Sequence, residues 1–131
     1  MEVDELGKEM QELRKNYETD LMKRLKEKLD SYEIVKNYLI CTKEGTCKAN
    51  NFEGINEETV SIMAATLYAA ANTANSELKM KAVQIAGIES GDDLTIIFPV
   101  DDDNILLFLD VDRQGDLEKL VNDIKATSKS Q

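Results

Sequence analysis

The chain has 131 residues, 42% of them hydrophobic and 32% charged, and a net charge of −10 at pH 7. That length supports one domain with a real core and falls short of two. The acidic balance is the wrong field for nucleic acid or an anionic membrane surface, and the absence of His removes the commonest metal ligand and the commonest general base.

Val3, Leu6, Met10, Leu13 and Tyr17 follow a 3-4-3-4 spacing, and Leu21, Leu25 and Leu29 continue at intervals of four. Charges fill the gaps. The pattern predicts one amphipathic helix from about Val3 to about Val35. Such a helix is ~50 Å long at 1.5 Å per residue, more than a domain of this size covers. Residues 1–20 are therefore expected to project or to dock on a partner, the alternative being to fold back onto the same subunit, with Leu6, Met10, Leu13 and Tyr17 as candidate partner-binding residues. Fewer than three strict heptads are present, too few to establish a coiled coil. The first thirty residues carry nine acids and seven bases, which leaves no apolar run for a signal peptide and points to the cytoplasm.

Tyr38 to Thr42 (YLICT) reads as a strand by its β-branched and aromatic content. Lys43-Glu44-Gly45 make a tight turn, with Gly45 at the left-handed position. Thr46 to about Asn50 returns as a more polar strand. Cys41 and Cys47, the only cysteines, lie on these two strands. A three-residue loop sets them opposite each other, and a two-residue loop sets them on opposite faces. They read as two small reduced thiols.

Asn56 is placed to cap a helix whose first turn holds Glu57 and Glu58. From Thr59 to Ser76 no residue is charged. The stretch is rich in Ala, lacks Pro and Gly, and is helical to about Leu78. At 100° per residue, Val60, Met63, Ala64, Leu67, Ala71, Ala74 and Leu78 form a core stripe. Ile62, Ala65, Thr66, Ala69, Thr73 and Ser76 form the opposite face, small and neutral where a solvated helix carries charge. Two uncharged faces imply two packing partners, the second either in another molecule or in the same chain covering the helix on both sides. Asn72, Asn75 and several hydroxyls make the stretch a poor membrane span.

Three strands follow: Lys81 to Glu89, Leu94 to Val100 and Ile105 to Val111. Their short connections imply an antiparallel meander. Pro99 belongs at a strand end or edge. From Asp116 a last helix carries Leu117, Leu120, Val121 and Ile124 on one face, and Thr127–Gln131 is a polar, frayed tail. The expected fold class is α+β in the order α-β-β-α-β-β-β-α, a five-stranded antiparallel sheet with helices on both faces. An uncovered sheet edge invites a second copy of the chain.

No catalytic, cofactor-binding or metal-binding residue is assigned. Two Cys alone do not complete a zinc site. The stretch from Asp110 to Gly115 has acids at the first and third positions of a calcium loop, but its twelfth position is Val121 and a strand precedes it. Residues 86–116 hold nine acids and one base, Arg113, a distribution that solubility explains. No P-loop or dinucleotide fingerprint is present, and a chain with 5% aromatic residues and no Trp shows no lining for a small-molecule pocket.

Three stretches together resemble the Roadblock/LC7 family: YLICTKEGTCKAN, VSIMAATLYAAANTA and GIESGDDLTIIFPVDDDNILLFLDVDRQGDLEKL. The resemblance covers about Leu21 to Lys129, dividing the chain into an N-terminal helical extension (1–20) and a Roadblock/LC7-like domain (21–131). It implies a dimer, of this chain with itself or with a second roadblock-type chain. In that dimer the strand after the central helix pairs with its twin to give a ten-stranded sheet, and the two central helices pack together. The implied interface is Ile62, Ala65, Thr66, Ala69, Thr73, Ser76, Ala82, Gln84, Ala86 and Ile88. The resemblance also implies a scaffold or regulator of a small Ras-like GTPase, or an adaptor in a motor-type assembly, without an active site of its own. The arginines Arg14, Arg24 and Arg113 do not mark out a finger residue. The extension beyond the family's first helix departs from the pattern.

Overall fold

The computed structural model describes residues 3–129. Helix α1 (Val3–Asp30) leads into β1 (Val35–Thr42) and β2 (Cys47–Asn50), then α2 (Glu57–Glu77), β3 (Ala86–Ser90), β4 (Asp93–Val100), β5 (Ile105–Val111) and α3 (Leu117–Lys129). The five strands form one antiparallel sheet in the order β2-β1-β5-β4-β3. The expected element order and α+β class hold, including the β3-β4-β5 meander.

The sheet separates two cores. Leu21, Leu25 and Leu29 of α1, with Leu120, Val121 and Ile124 of α3, cover one face, over Ile40, Phe98, Leu107 and Leu109. The other face, through Leu39, Cys41, Ile97 and Leu106, packs against Ala64, Ala65 and Tyr68 of α2. The first face buries long side chains at helical spacing and supplies most of the hydrophobic stabilisation. The second is thin because alanines let α2 lie close to the strands.

Helix α1 stops at Asp30, five residues before the expected end. Ser31, Tyr32 and Val35 make turn hydrogen bonds to Lys28, Leu29 and Tyr32 carbonyls. The β-branched Ile34 and Val35 then join the end of the ladder with β5: Val35 pairs with Val111, and the Ile34 carbonyl accepts from the Asp112 amide at 2.8 Å. Extended pairing there competes with another helical turn and wins. Ile34 also sits so close to Gly115 that a Cβ there would lie 2.7 Å from Ile34 Cγ2. The β1 strand thus begins three residues earlier than its composition indicates.

The expected strand from Lys81 is only half formed, and β3 starts at Ala86. The Asn72 side-chain oxygen accepts from the Val83 amide at 2.7 Å, the Tyr68 hydroxyl donates to the Val83 carbonyl at 3.1 Å, and the Asn75 side-chain amide donates to the Lys81 carbonyl at 3.1 Å. Backbone groups already bonded to α2 are not free for a ladder. Pro99 lies where β4 has no β3 neighbour, since that ladder ends at Ile97, so its missing N–H removes no rung there. The expected frayed tail is corrected too: Thr127–Lys129 are helical and Ser128 is buried. Ser130 and Gln131 lie outside the described residues.

Candidate association surface

Asn56 caps α2 as its position predicts, its side chain accepting from the Thr59 amide at 3.1 Å. The tip of the β1–β2 hairpin backs onto the same helix. Gly45 has φ +94°, and a Cβ there would lie 3.0 Å from Ile62 Cα, so only glycine meets both demands. The hairpin tip and the two asparagine contacts at the other end fix the rotation of α2 about its axis.

That rotation differs from the expected one by roughly a quarter-turn at 100° per residue. The buried face is Ser61, Ala64, Ala65 and Tyr68, continued by half-buried Asn72 and Asn75. Of the expected core stripe, Met63, Leu67, Ala74 and Leu78 are exposed. The small residues Ala64 and Ala65 permit a closer approach to the sheet than Met63 or Leu67 would, and Tyr68 and Asn72 find backbone partners only on this side.

The outward face of α2 therefore runs through Ile62, Met63, Thr66, Leu67, Ala69, Ala70, Thr73 and Ala74. All of it is uncharged. Ile62 is 51% exposed and Met63 62% exposed. The hairpin tip at Gly45 meets this surface at Ile62, and the rest of it is exposed and uncharged. Of the ten residues expected at an interface, Ile62, Thr66, Ala69, Thr73 and Ser76 lie on α2 outside its core face, and Ile88 is exposed on β3. Ala86 is half-buried on that strand. Ala65 is a correction: it is 8% exposed and packs in the chain's own core. Ala82 and Gln84 are exposed and lie just before β3 rather than on it, and the Gln84 carbonyl accepts from Lys125 Nζ at 3.4 Å. Met63, Leu67, Ala70 and Ala74 are the surface residues that periodicity missed. The spacing of Tyr68, Asn72 and Asn75 was the available signal, because three hydrogen-bonding side chains on one face of an apolar helix mark where a returning backbone is held.

β3 is an edge strand, with the β4 ladder on one side and, among the described residues, no strand on the other. The partner-binding candidates at the far end of the molecule divide. Leu6, Met10 and Leu13 are 50%, 59% and 69% exposed. Tyr17 instead ties α1 to the β4–β5 turn, its hydroxyl donating to Asp101 Oδ1 at 2.7 Å. That bond first, then burial and the charge of Asp101, keep the Tyr17 hydroxyl above its ordinary pKa. Asp101, Asp102 and Asp103 all have positive φ, a left-handed turn that Asp tolerates better than most side chains. α1 itself runs unbroken through residues 20 and 21, and full burial begins at Leu21.

Among the described residues, no group of three or more Cys, Asp or Glu is arranged to hold a metal ion. Each acid of the Asp110–Asp116 stretch has a hydrogen-bond partner, although the second oxygen of Asp110, Oδ1, is buried without one among the described residues. Asp110 accepts from Asn37, Asp112 from the Gln114 amide, and Asp116 caps α3 by accepting from the Lys119 amide at 3.1 Å. A hollow of about 570 Å³ between α1 and the β4–β5 turn is lined by Arg14, Tyr17, Glu18, Thr42, Glu44, Asp101, Asn104 and Ile105. Tyr17 and Ile105 mix with charged and polar residues in its walls, unlike a predominantly apolar ligand site. No helix among the described residues is long and apolar enough to cross a membrane.

No family model matches the sequence, and no curated protein does. Solved structures do. A Roadblock/LC7 domain from Streptomyces avermitilis superposes with a TM-score of 0.67 at 13% identity, over 79% of this chain and 88% of that one. MglB from Myxococcus xanthus gives 0.63 at 17% identity, over 80% and 83%. The gliding protein MglB from Thermus thermophilus gives 0.64 at 18% identity, over 83% of each chain. The chain has the Roadblock/LC7 fold.

Proposed function

We propose that two copies of this chain associate through the outward face of α2 and the free edge of β3, forming a ten-stranded sheet. The dimer then serves as a non-enzymatic binding platform for a small Ras-like GTPase or a related regulatory complex in the cytoplasm. The observation that carries the association is the uncharged, largely exposed α2 face. In a chain with net charge −10, a surface with no charge on it is selected for contact rather than solubility. The GTPase reading is supported by the likeness in fold to MglB and by the sequence resemblance to Roadblock/LC7 proteins. A second roadblock-type chain could take the place of the twin.

Ala69→Arg tests the interface. Ala69 is exposed in the single chain, so the substitution leaves the fold intact, but in the dimer it buries an unpaired charge. Light scattering is expected to give a dimer for wild type and a monomer for the variant, with dissociation at least about tenfold easier, or 1.4 kcal/mol. Equal masses for both proteins would contradict the interface.

A second reading treats residues 1–20 as the functional part, an adaptor arm for a helical partner in a motor or cytoskeletal assembly. The exposure of Leu6, Met10 and Leu13 favours it. Changing all three to Gln distinguishes the readings. Nucleotide-sensitive capture of a GTPase survives the change under the platform reading, and partner capture is lost under the adaptor reading.

A further inference from the structure

Cys41 and Cys47 face each other across the β1–β2 hairpin. They are direct register partners, because Lys43-Glu44-Gly45 form a three-residue loop closed by the Thr42 amide donating to the Thr46 carbonyl at 2.9 Å. The rung at Thr42 leaves Cys41 and Cys47 as the pair without a mutual backbone bond. In antiparallel strands that arrangement brings Cα atoms to about 4.5 Å, inside the range a disulfide spans. Both side chains are on the α2 side of the sheet: Cys41 lies in the core beneath α2 and Cys47 packs at its margin. Cys41 Sγ is 3.9 Å from the Ser61 carbonyl, which accepts from it, and Cys47 Sγ is 3.7 Å from Glu57 Oε2. Both are free thiols.

We propose that this pair is an oxidation site, closing an intrachain cross-strand disulfide when a small-molecule disulfide is the oxidant. Cys47, half-buried, is the sulfur a reagent reaches. Its thiolate attacks the reagent disulfide, forms a mixed disulfide and releases one reagent thiolate. Cys41 then loses its proton and attacks the Cys47 sulfur, releasing the second reagent thiolate. Two electrons pass from the protein to the reagent, and two protons leave the protein thiols for the released thiolates or solvent. The order follows from position: Cys41 is fully buried, and burial, with a smaller effect of neighbouring Cys47, pushes its thiol up to about 11. It is a poor first nucleophile and is held where only Cys47 can be its target.

The bond would also reach α2. Drawing Cys47 towards Cys41 takes its sulfur from Glu57 in the first turn of α2, and the hairpin tip that backs onto Ile62 becomes covalently pinned. The site is independent of whether the chain dimerises.

The test uses the full chain treated with oxidised glutathione, with remaining thiols alkylated and the protein digested by trypsin without reduction. Cleavage after Lys36, Lys43 and Lys48 separates the two cysteines, so a closed bond appears as peptide 37–43 linked to peptide 44–48. Wild type is expected to give that linked pair from protein that runs as a single chain on a non-reducing denaturing gel, and to lose both thiols together. Cys41→Ala is expected to hold glutathione on Cys47, and Cys47→Ser to leave Cys41 unmodified. A glutathione adduct that persists on wild-type Cys47, a bond between two chains, or two thiols that stay free would each overturn the proposal.

Discussion

Ser61 is completely buried on the core face of α2, and among the described residues its hydroxyl has no hydrogen-bond partner. An orphaned buried hydroxyl is a cost that a methyl group does not carry. Ser61→Ala is therefore expected to raise stability by about 1 kcal/mol, measured by urea unfolding. A loss of stability would show that Ser61 has a bonded partner in solution. Tyr32 is the opposite case. Its hydroxyl donates to Asp123 Oδ2 at 2.5 Å, linking the end of α1 to α3. Burial first, then that bond and the carboxylate's charge, raise its pKa to about 12. A folded-state value above the unfolded one means the unfolded chain ionises first. The stability from Tyr32 is whole below about pH 10 and is lost as pH rises towards 12. Tyr38, raised by burial and then by Asp30, and Cys41 act in the same direction. Tyr32→Phe is expected to lower stability at pH 8 and to flatten its fall between pH 10 and 12 by up to about 1.4 kcal/mol per pH unit, one proton's slope. An unchanged slope would contradict the Tyr32–Asp123 bond.

At the scale of elements, α1 shows how far a pattern reaches. The Leu21-Leu25-Leu29 spacing correctly marks a core stripe, and the earlier Leu6-Met10-Leu13 stripe looks the same in sequence yet faces solvent. Periodicity says which residues share a face and is silent about whether anything lies against it. Leu25→Ala is expected to cost about 2–5 kcal/mol in the purified chain, and Leu13→Ala within about 0.5 kcal/mol of nothing, read from denaturant midpoints. Comparable costs would mean the first half of α1 packs on the body. α2 shows the other limit. Its existence, cap and uncharged character are all legible from Asn56 to Ser76. Its rotation is not, because with so many alanines the hydrophobic signal is nearly equal all round. Hydrogen bonds from Tyr68, Asn72 and Asn75 to the segment that returns from the helix decide the matter. The same bonds shorten β3, so one unread feature explains both misplacements, the burial of Ala65, and the position of Ala82 and Gln84 ahead of the strand.

The whole molecule is lopsided. One face of the sheet is closed by two helices over a thick core. The other carries a single helix over a thin one, that helix shows an uncharged back, and β3 leaves a strand edge open among the described residues. A like-charged copy meets less repulsion at a neutral surface than over the rest of a body with net charge −10. Association on that surface would cover Ile62, Met63 and Leu67 and give the β3 amides a second ladder. The direct measurement is amide hydrogen exchange across a dilution series, followed by peptides spanning Ala86–Ser90 and α2. β3 is expected to become protected as concentration rises through the dimer transition, together with α2, while peptides from Leu6 to Tyr17 stay unchanged. If β3 exchanges at the same rate at every concentration, or if protection gathers on Leu6 to Tyr17 instead, the chain does not assemble through its sheet edge and the account fails.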